Sequence, residues 1–199
     1  MKGAVFLDRD GVLTRLAFNP ATGEHEPPHR AGDLKLVPHA IECLEKMKAA
    51  GYELFLVSNQ PDYAKGKATL GALKQVHQKF EQLLASHGIR FRQCYYCYHH
   101  PNGVVPEYSS ECECRKPKPS FLFQARKEYG VALERSWMVG DRDTDVECGK
   151  AAGAKTILIG TPVTGVKSRP DYRAKDLAEA TRIILELDEK EVLQAGQKR

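Results

Sequence analysis

The chain lacks a long apolar run, and this excludes a membrane-spanning helix. None of its 199 residues lies in a stretch approaching the roughly 20 apolar residues that such a helix needs. The sequence also has no internal repeat. The first strand-like run follows directly on residues 1–3, so we expect no signal peptide and a cytoplasmic protein.

The sequence also lacks a strong excess of charge of either sign. It has 30 basic and 26 acidic residues, a formal net charge of +4, and one small basic cluster at Arg115–Lys118. Nucleic-acid-binding proteins usually carry a basic stripe, so we expect neither a nucleic-acid nor a membrane partner. A local basic cluster suits a small anionic substrate such as a phosphate ester. The length predicts one domain over 1–199, and we expect a monomer.

Strand-like apolar runs alternate with helix-like segments along the chain. The pattern predicts strands over 3–8, 53–57, 89–98, 137–139 and 156–159, and helices over 39–50, 67–87, 120–129, 144–152 and 175–188. Residues 15–36 read as a long loop, and the tail over about 189–199 as flexible. This order predicts an α/β fold with a doubly wound, mainly parallel Rossmann-like sheet and helices on both faces.

Polar clusters follow three of the predicted strands. The clusters are Asp8 with Asp10, Ser58 with Asn59, and Asp141 with Asp145. The carboxyl ends of parallel strands form the ligand-binding edge of such a sheet, so these side chains should meet. Carboxylates that close repel one another unless a cation lies between them, and Mg²⁺ prefers such oxygen ligands. The sequence therefore predicts a magnesium site formed by Asp8, Asp10 and Asp141.

The same residues can divide a hydrolysis into two steps. Asp8 leaves the strand first and is the candidate nucleophile, which would form an aspartyl-phosphate. Asp10 can protonate the leaving alkoxide and then deprotonate the attacking water. Lys116 supplies a cation for the charge on the transferred phosphoryl group.

The remaining polar residues have supporting roles in this interpretation. Ser58 and Asn59 can donate hydrogen bonds to phosphate oxygens. Asp145 lies one helical turn after Asp141 and can orient the metal site or Lys116. Asp143 is interpreted only as a first-turn acid that the helix dipole favours.

Four of the six cysteines crowd into a loop over about 94–118. Cys97-Tyr98-His99 and Cys112-Glu113-Cys114 form two short chelating pairs, and three thiolates with one imidazole make a closed, structural Zn²⁺ site. An all-cysteine site with Cys94 in place of His99 is the alternative, which a strand over 89–98 weakens because Cys94 and Cys97 would face opposite ways. Otherwise Cys43, Cys94 and Cys148 are free, buried thiols.

These motifs resemble those of the haloacid dehalogenase (HAD) superfamily of phosphatases over roughly residues 3–165. Asp8-Arg9-Asp10-Gly11-Val12 matches the first motif, DxDG[TV], and Ser58, Lys116 and Gly140–Asp145 match the second, third and fourth. The resemblance implies an Mg²⁺-dependent phosphatase. No segment is long enough for a large cap domain, which argues against a phosphotransferase or mutase.

The zinc-loop pattern CxH…CxCRKPKP narrows the resemblance to the heptose-bisphosphate phosphatases and the related histidinol-phosphate phosphatases. It implies that Arg115 and Lys116, and also Arg142, contact a sugar phosphate, with histidinol phosphate as the alternative substrate. Two features depart from the family: the loop from Thr14 to Asp33 is longer and proline-rich, and Cys-Tyr-His replaces Cys-Pro-His. A zinc-stabilised binding module without catalysis is a remote alternative, since all four motifs are intact.

Overall fold

The computed structural model describes residues 3–20, 22–160 and 168–196, with the backbone alone over 191–196. The strands are β1 (Ala4–Leu7), β2 (Ala17–Asn19), β3 (Glu24–Glu26), β4 (Glu53–Asn59), β5 (Gln93–Cys97), β6 (Trp137–Gly140), β7 (Lys155–Ile159) and β8 (Tyr172–Ala174). The helices are α1 (Ala40–Ala49), α2 (Leu70–Ala85), α3 (Ser120–Tyr129), α4 (Asp143–Ala152) and α5 (Leu177–Gly196).

Six strands form one parallel sheet in the order β5-β4-β1-β6-β7-β8. β1 lies at the centre, and its last residue, Leu7, is in register with Leu56 of β4 and with Val139 of β6. The chain leaves β1 for β4 on one side and later returns to β6 on the other. The loops after β1, β4 and β6 therefore converge at a topological switch point, which confirms the predicted doubly wound sheet.

Side-chain alternation along the strands divides the core between the two faces of the sheet. Val5 and Leu7 pack on the face that α1, α2 and α5 cover. Ala4 and Phe6 pack on the opposite face, against residues of α3 and α4. A strand buried on both sides reads as a continuous apolar run, which explains the pattern of β1. Helices on both faces confirm the predicted layers.

The predicted loop over 15–36 contains ordered structure that the sequence pattern did not indicate. β2 and β3 pair as an antiparallel hairpin, and residues 31–33 form a short 3-10 helix. The backbone on either side of this segment is joined, because Arg15 N donates to Lys35 O (2.8 Å) and Val37 N donates to Leu13 O (3.0 Å). Residues 16–34 thus form a loop whose base is closed by backbone hydrogen bonds.

Two features of the C-terminal part also differ from the sequence prediction. β7 is not the last strand, because β8 adds to its edge after a segment outside the described residues. α5 continues to Gly196 instead of ending near 188, while flexibility of the tail stays a prediction. Over the described ranges 3–20, 22–160 and 168–196, no helix has the length and apolar character needed to cross a bilayer.

Candidate active site

Asp8 and Lys116 meet at the end of the central strand. Asp8 N donates to Val139 O (3.0 Å), which fixes the residue beside β6. Lys116 Nζ lies 3.0 Å from Asp8 Oδ1 and 2.6 Å from Asp145 Oδ1, and it donates to Val57 O (2.6 Å). Burial alone would lower the pKa of this amine, but Asp145 and Asp8 outweigh burial and raise the pKa above its ordinary value. Lys116 is therefore a buried cation shared by two carboxylates.

Lys116 is held from both its backbone and its side chain. Asn59 forms a paired contact with its backbone: Lys116 N donates to Asn59 Oδ1 and Asn59 Nδ2 donates to Lys116 O, both at 3.1 Å. Asp145 holds the side chain and also accepts a hydrogen bond from Arg142 N (3.0 Å) at the start of α4. The amide of Asn59 thus bonds to the backbone of Lys116, and its hydrogen bond to a phosphate oxygen stays a prediction.

Asp10 lies in a second buried pair that the sequence analysis did not anticipate. Arg9 donates to both oxygens of Asp10 through Nε (3.0 Å) and Nη2 (2.9 Å). Gln60 Nε2 donates to Oδ2 (2.6 Å) and Thr14 Oγ1 to Oδ1 (2.9 Å). Burial works to raise the pKa of Asp10, but Arg9 and these hydrogen bonds hold it below its ordinary value. Arg9 is the variable residue of DxDG, so the motif gave no signal for it.

Asp141 completes a group of three carboxylates. The side chains of Asp8, Asp141 and Asp145 each offer an oxygen within 4.8 Å of the other two. Asp141 Oδ1 is buried without a hydrogen-bond partner among the described residues. Burial and the neighbouring Asp8 and Asp145 raise the pKa of Asp141 to about 7. Gly11 (φ +87°) permits this approach, because a Cβ there would lie 2.3 Å from Asp141 Oδ2.

The three carboxylates fit a hard divalent cation. Repulsion between them, and the buried Asp141 oxygen that accepts no hydrogen bond from the described residues, are the features that such an ion would relieve. The described cluster contains Asp145 in place of Asp10, whose two oxygens are already bonded to Arg9, Gln60 and Thr14. A side-chain contact from Asp10 to the metal stays a prediction.

A cleft of about 380 Å³ opens above these groups. Asp8, Asp10 and Lys116 lie in its wall, together with the predicted substrate-binding residues Asn59, Arg115 and Arg142. Arg115 Nη1 donates to His99 O (3.1 Å), whereas the Arg142 side chain is 64% exposed. Ser58 is buried, and its hydroxyl accepts a hydrogen bond from Gln60 Nε2 (3.1 Å). Asn59, Arg115 and Arg142 therefore lie at the cleft as predicted, whereas Ser58 is buried outside its wall.

The β2–β3 hairpin forms one rim of the cleft, which sequence reasoning missed. Glu24, His25 and Glu26 contribute to the wall. Glu26 accepts a hydrogen bond from Lys67 (2.8 Å), and His29 Nε2 contacts Asp62 Oδ2 at 2.8 Å. The hairpin segment is thus tied to residues 61–67 after β4. The length and proline content of the loop were the only signal in the sequence.

The four predicted zinc ligands form a compact cluster next to the cleft. The sulfur atoms of Cys97, Cys112 and Cys114 lie 3.1 to 3.5 Å apart, and His99 Nδ1 lies 3.6 Å from Cys114 Sγ and 3.9 Å from Cys97 Sγ. The sulfur separations exceed the ~2.05 Å of a disulfide. They are close to the edges of a tetrahedron around Zn²⁺, with ligand distances of about 2.0 to 2.3 Å. The cluster fits a closed structural zinc site.

Cys94 takes no part in the zinc cluster. It is in register with Leu56 and packs on the face of the sheet that α2 covers, whereas Cys97 belongs to the zinc cluster. The alternative all-cysteine site is therefore not formed. Cys43 and Cys148 are buried free thiols, and Cys94 is a half-buried one.

A doubly wound sheet that gathers Asp8, Lys116 and Asp141 at its switch point defines a phosphatase of the HAD class. A family model described as HAD-hydrolase-like matches residues 113–180. A solved structure described as a putative HAD-like phosphatase from Mesorhizobium loti superposes with a TM-score of 0.78 at 26% identity, covering 95% of this chain and 87% of that one. The protein is thus a phosphoric monoester hydrolase.

More specific relatives narrow the family. The D-glycero-beta-D-manno-heptose-1,7-bisphosphate 7-phosphatase of Pasteurella multocida is 37% identical over 188 residues, which cover 92% of this chain and 97% of that protein. The chain belongs to this family of HAD phosphatases. A structure of D,D-heptose 1,7-bisphosphate phosphatase from B. bronchiseptica, complexed with magnesium and phosphate, shares the fold (TM-score 0.73, 24% identity, covering 94% and 99% of the two chains).

Proposed function

We propose that the enzyme removes the 7-phosphate of D-glycero-D-manno-heptose 1,7-bisphosphate through an aspartyl-phosphate. The observation that carries the chemistry is the buried contact of Lys116 with Asp8, at the bottom of a cleft that is open to a phosphate ester. The name of the Pasteurella relative supports the choice of substrate.

Asp8 and Asp141, supported by Asp145, would hold the catalytic Mg²⁺. When bound, the ion supplies positive charge that offsets the carboxylates and the transferred phosphoryl group. The magnesium bound together with phosphate by the B. bronchiseptica enzyme supports this assignment, as does the buried Asp141 oxygen that accepts no hydrogen bond from the described residues. The Cys97, His99, Cys112 and Cys114 cluster would hold a structural Zn²⁺.

In the first step, an oxygen of Asp8 attacks phosphorus and the bond to the sugar oxygen breaks. The proton on Asp10 goes to the departing alkoxide, while Lys116 stabilises the charge on the phosphoryl oxygens. In the second step, water attacks the same phosphorus and loses a proton to Asp10, and the carboxylate of Asp8 is released. The cycle returns both aspartates to their initial states.

The hydrogen bonds of Asp10 place a condition on this cycle. Arg9 and Gln60 stabilise its ionised form, which suits a base but opposes an acid. For Asp10 to carry a proton toward the leaving group, one oxygen must exchange a bond from Arg9 or Gln60 for one to the substrate. Arg9 and Gln60 therefore act as positioning residues in this proposal.

The cations at the cleft mouth suit a substrate with a second phosphate. Arg115 and Arg142 lie in the wall, as does Lys65, for which no ion pair is found among the described residues. Two phosphates on one sugar require positive charge at both ends of the site. Histidinol phosphate has no second phosphate, so these cations favour the bisphosphate.

The substitution Asp8→Asn tests the mechanism. We expect turnover to disappear, because an amide cannot form the acyl-phosphate. Zinc content and the far-ultraviolet circular dichroism spectrum should stay at the wild-type values, as they should in the exposed control Asp33→Asn. Retention of more than about one hundredth of the activity would contradict the nucleophile assignment, since removing a covalent nucleophile normally costs more than this.

Comparison of kcat/KM among substrates tests the specificity. The panel contains both anomers of the heptose bisphosphate, histidinol phosphate and an aryl phosphate, with Mg²⁺ present. We expect a heptose bisphosphate to be the best substrate. A higher kcat/KM for histidinol phosphate would leave the chemistry in place and overturn the substrate.

We further propose a monomer in the cytoplasm. Three thiolates as metal ligands are more typical of a reducing compartment, which supports the location. Sedimentation of the purified enzyme and fractionation of cells test the two statements separately.

A further inference from the structure

His77, Glu81 and Cys94 form a second cluster of metal-ligating side chains, away from the cleft and from the zinc loop. One ligand atom of each lies within 4.8 Å of the other two. His77 Nε2 is 3.5 Å from Glu81 Oε1. Nitrogen, oxygen and sulfur donors in one group are the set that Zn²⁺ and similar borderline ions bind.

The backbone brings these three residues together without help from a metal. His77 and Glu81 are four residues apart on α2, so they lie on one face of the helix. Cys94 lies in the edge strand β5, in register with Leu56 of the neighbouring strand. Val76 and Phe80 anchor the same stretch of α2 in the core. The cluster therefore joins two elements that the core already holds in place.

Tyr96 fixes the orientation of the histidine ring. Its hydroxyl shares a hydrogen bond of 2.9 Å with His77 Nδ1, which leaves Nε2 directed toward Glu81. Tyr96 is also two residues from Cys94 on the same face of β5, so both side chains point toward α2. Metal-binding histidines typically use their second ring nitrogen in this way.

The cluster has a route to solvent and room for a further ligand. Glu81 and Cys94 lie in the wall of a surface groove of about 560 Å³. His77 and Glu81 have side-chain exposures of 25% and 58%. Three protein ligands beside an open groove differ from the closed four-ligand set of the zinc loop.

We propose that His77, Glu81 and Cys94 form a site for one Zn²⁺-type ion, with its fourth position open to the groove. Binding would transfer the thiol proton of Cys94 to solvent. The resulting thiolate and the carboxylate of Glu81 then balance the two positive charges of the ion. None of the three ligands lies in the wall of the catalytic cleft.

Cobalt spectroscopy of the full-length enzyme tests this site. The zinc loop is first loaded with one equivalent of Zn²⁺, and excess Mg²⁺ is present to occupy the carboxylate cluster. Co²⁺ is then titrated in. We expect the wild-type enzyme to bind it with the charge-transfer absorption of a cobalt–thiolate bond. Ions at the carboxylate cluster produce no such band.

Matched variants assign the band to a residue. Cys94→Ser should abolish it, and His77→Gln should weaken cobalt binding by about tenfold or more. Cys43→Ser, which changes a buried thiol on the core-facing side of α1, should leave the band unchanged. All variants must keep one zinc per chain and the wild-type unfolding midpoint. Absence of the band in the wild type, or the same band in Cys94→Ser through exchange at the zinc loop, would overturn the proposal.

Discussion

Arg9 is a buried arginine whose guanidinium forms an ion pair with the carboxylate of Asp10. It is 1% exposed, binds both oxygens of Asp10 and donates to Gln60 Oε1 (2.9 Å). Its Cζ also lies 5.7 Å from the centre of the Tyr96 ring. A charge this deeply buried is tolerated only when its partner is present and well bonded.

We expect Arg9→Met to destabilise the protein by about 3 kcal/mol, because it leaves the carboxylate of Asp10 buried without its cation. The same change should raise the pKa of Asp10, since only the hydrogen bonds from Gln60 and Thr14 then oppose the effect of burial. Urea unfolding at neutral pH measures the loss.

The pH dependence of stability provides the control on this interpretation. In the wild type the pKa of Asp10 is depressed, so its contribution to stability is present above the unfolded-state pKa and is lost as the pH falls through the folded-state value. With a raised pKa in Arg9→Met, that contribution should instead decline as the pH rises. Arg15→Met, at an exposed arginine, should change neither quantity. An Arg9 variant as stable as the wild type would contradict the paired-charge account.

The zinc loop is the element that positions Lys116. Cys114 immediately precedes Arg115 and Lys116, and Arg115 donates to the backbone of His99. The loop also supports the turn after β4, because Val104 N (2.6 Å) and Val105 N (3.1 Å) both donate to Ala64 O. Its order therefore affects two walls of the cleft.

We expect Cys112→Ser to lose the zinc and to have a kcat at least about tenfold lower, because the loop that orders Lys116 loses its metal. Atomic absorption and phosphate release with saturating Mg²⁺ measure the two effects. Cys43→Ser, which replaces a free thiol in the core, is the matched control. Full activity in a zinc-free variant would show that Asn59 and Asp145 suffice to hold the lysine.

The hairpin is the second element that shapes the cleft. We expect Glu26→Gln and Lys67→Met each to raise KM for the sugar bisphosphate several-fold with little change in kcat, because each breaks the tie between the hairpin and the turn after β4. Turnover of an aryl phosphate, which is too small to reach the rim, should not change.

A double-mutant cycle tests whether the two residues act as a pair. The double variant should be no worse than either single one, since both remove the same contact. Glu45→Gln, at an exposed position of α1, is the control. Additive effects would mean that the two side chains act separately on the substrate.

The elements differ in how far the sequence could predict them. The ends of α3 are those that the sequence predicts. The predicted ends of β1 and β4 are correct to within two residues, because both strands are buried and bounded by turn residues. β2, β3 and β8 are three residues long, too short for periodicity to register. The DxDG, Lys116 and zinc-loop motifs identified the residues that meet at the cleft. Gln60 and Glu26 were missed because their contacts join distant segments, and Arg9 because it occupies the variable position of DxDG.

At the scale of the whole molecule, the carboxylates beneath the cleft oppose folding. Burial and the nearby carboxylates of Asp8 and Asp145 raise the pKa of Asp141 to about 7. Between pH 4 and 7 the folded state then binds a proton that the unfolded state does not. The free energy of unfolding should therefore fall as the pH rises through this range.

We expect Asp141→Asn to remove this dependence and to raise stability at pH 7 without Mg²⁺ by a few kcal/mol, since each unit of pKa corresponds to about 1.4 kcal/mol. Added Mg²⁺ should stabilise the wild type and have less effect on the variant, because an ion that binds only the folded state shifts the equilibrium toward it. Thermal unfolding at several pH values, with and without Mg²⁺, measures both effects. Equal stabilisation of the two proteins by Mg²⁺ would contradict the assignment of Asp141 to the metal.

The hydrogen-bonded base of the loop over 16–34 has an evolutionary consequence. The backbone bonds that join residues 13–15 to 35–37 hold the two ends together whatever lies between them. Insertions or deletions in the hairpin can thus alter one rim of the cleft while the sheet and its aspartates stay in place. In a lineage with this arrangement, the range of accepted substrates can drift while the hydrolytic step is conserved.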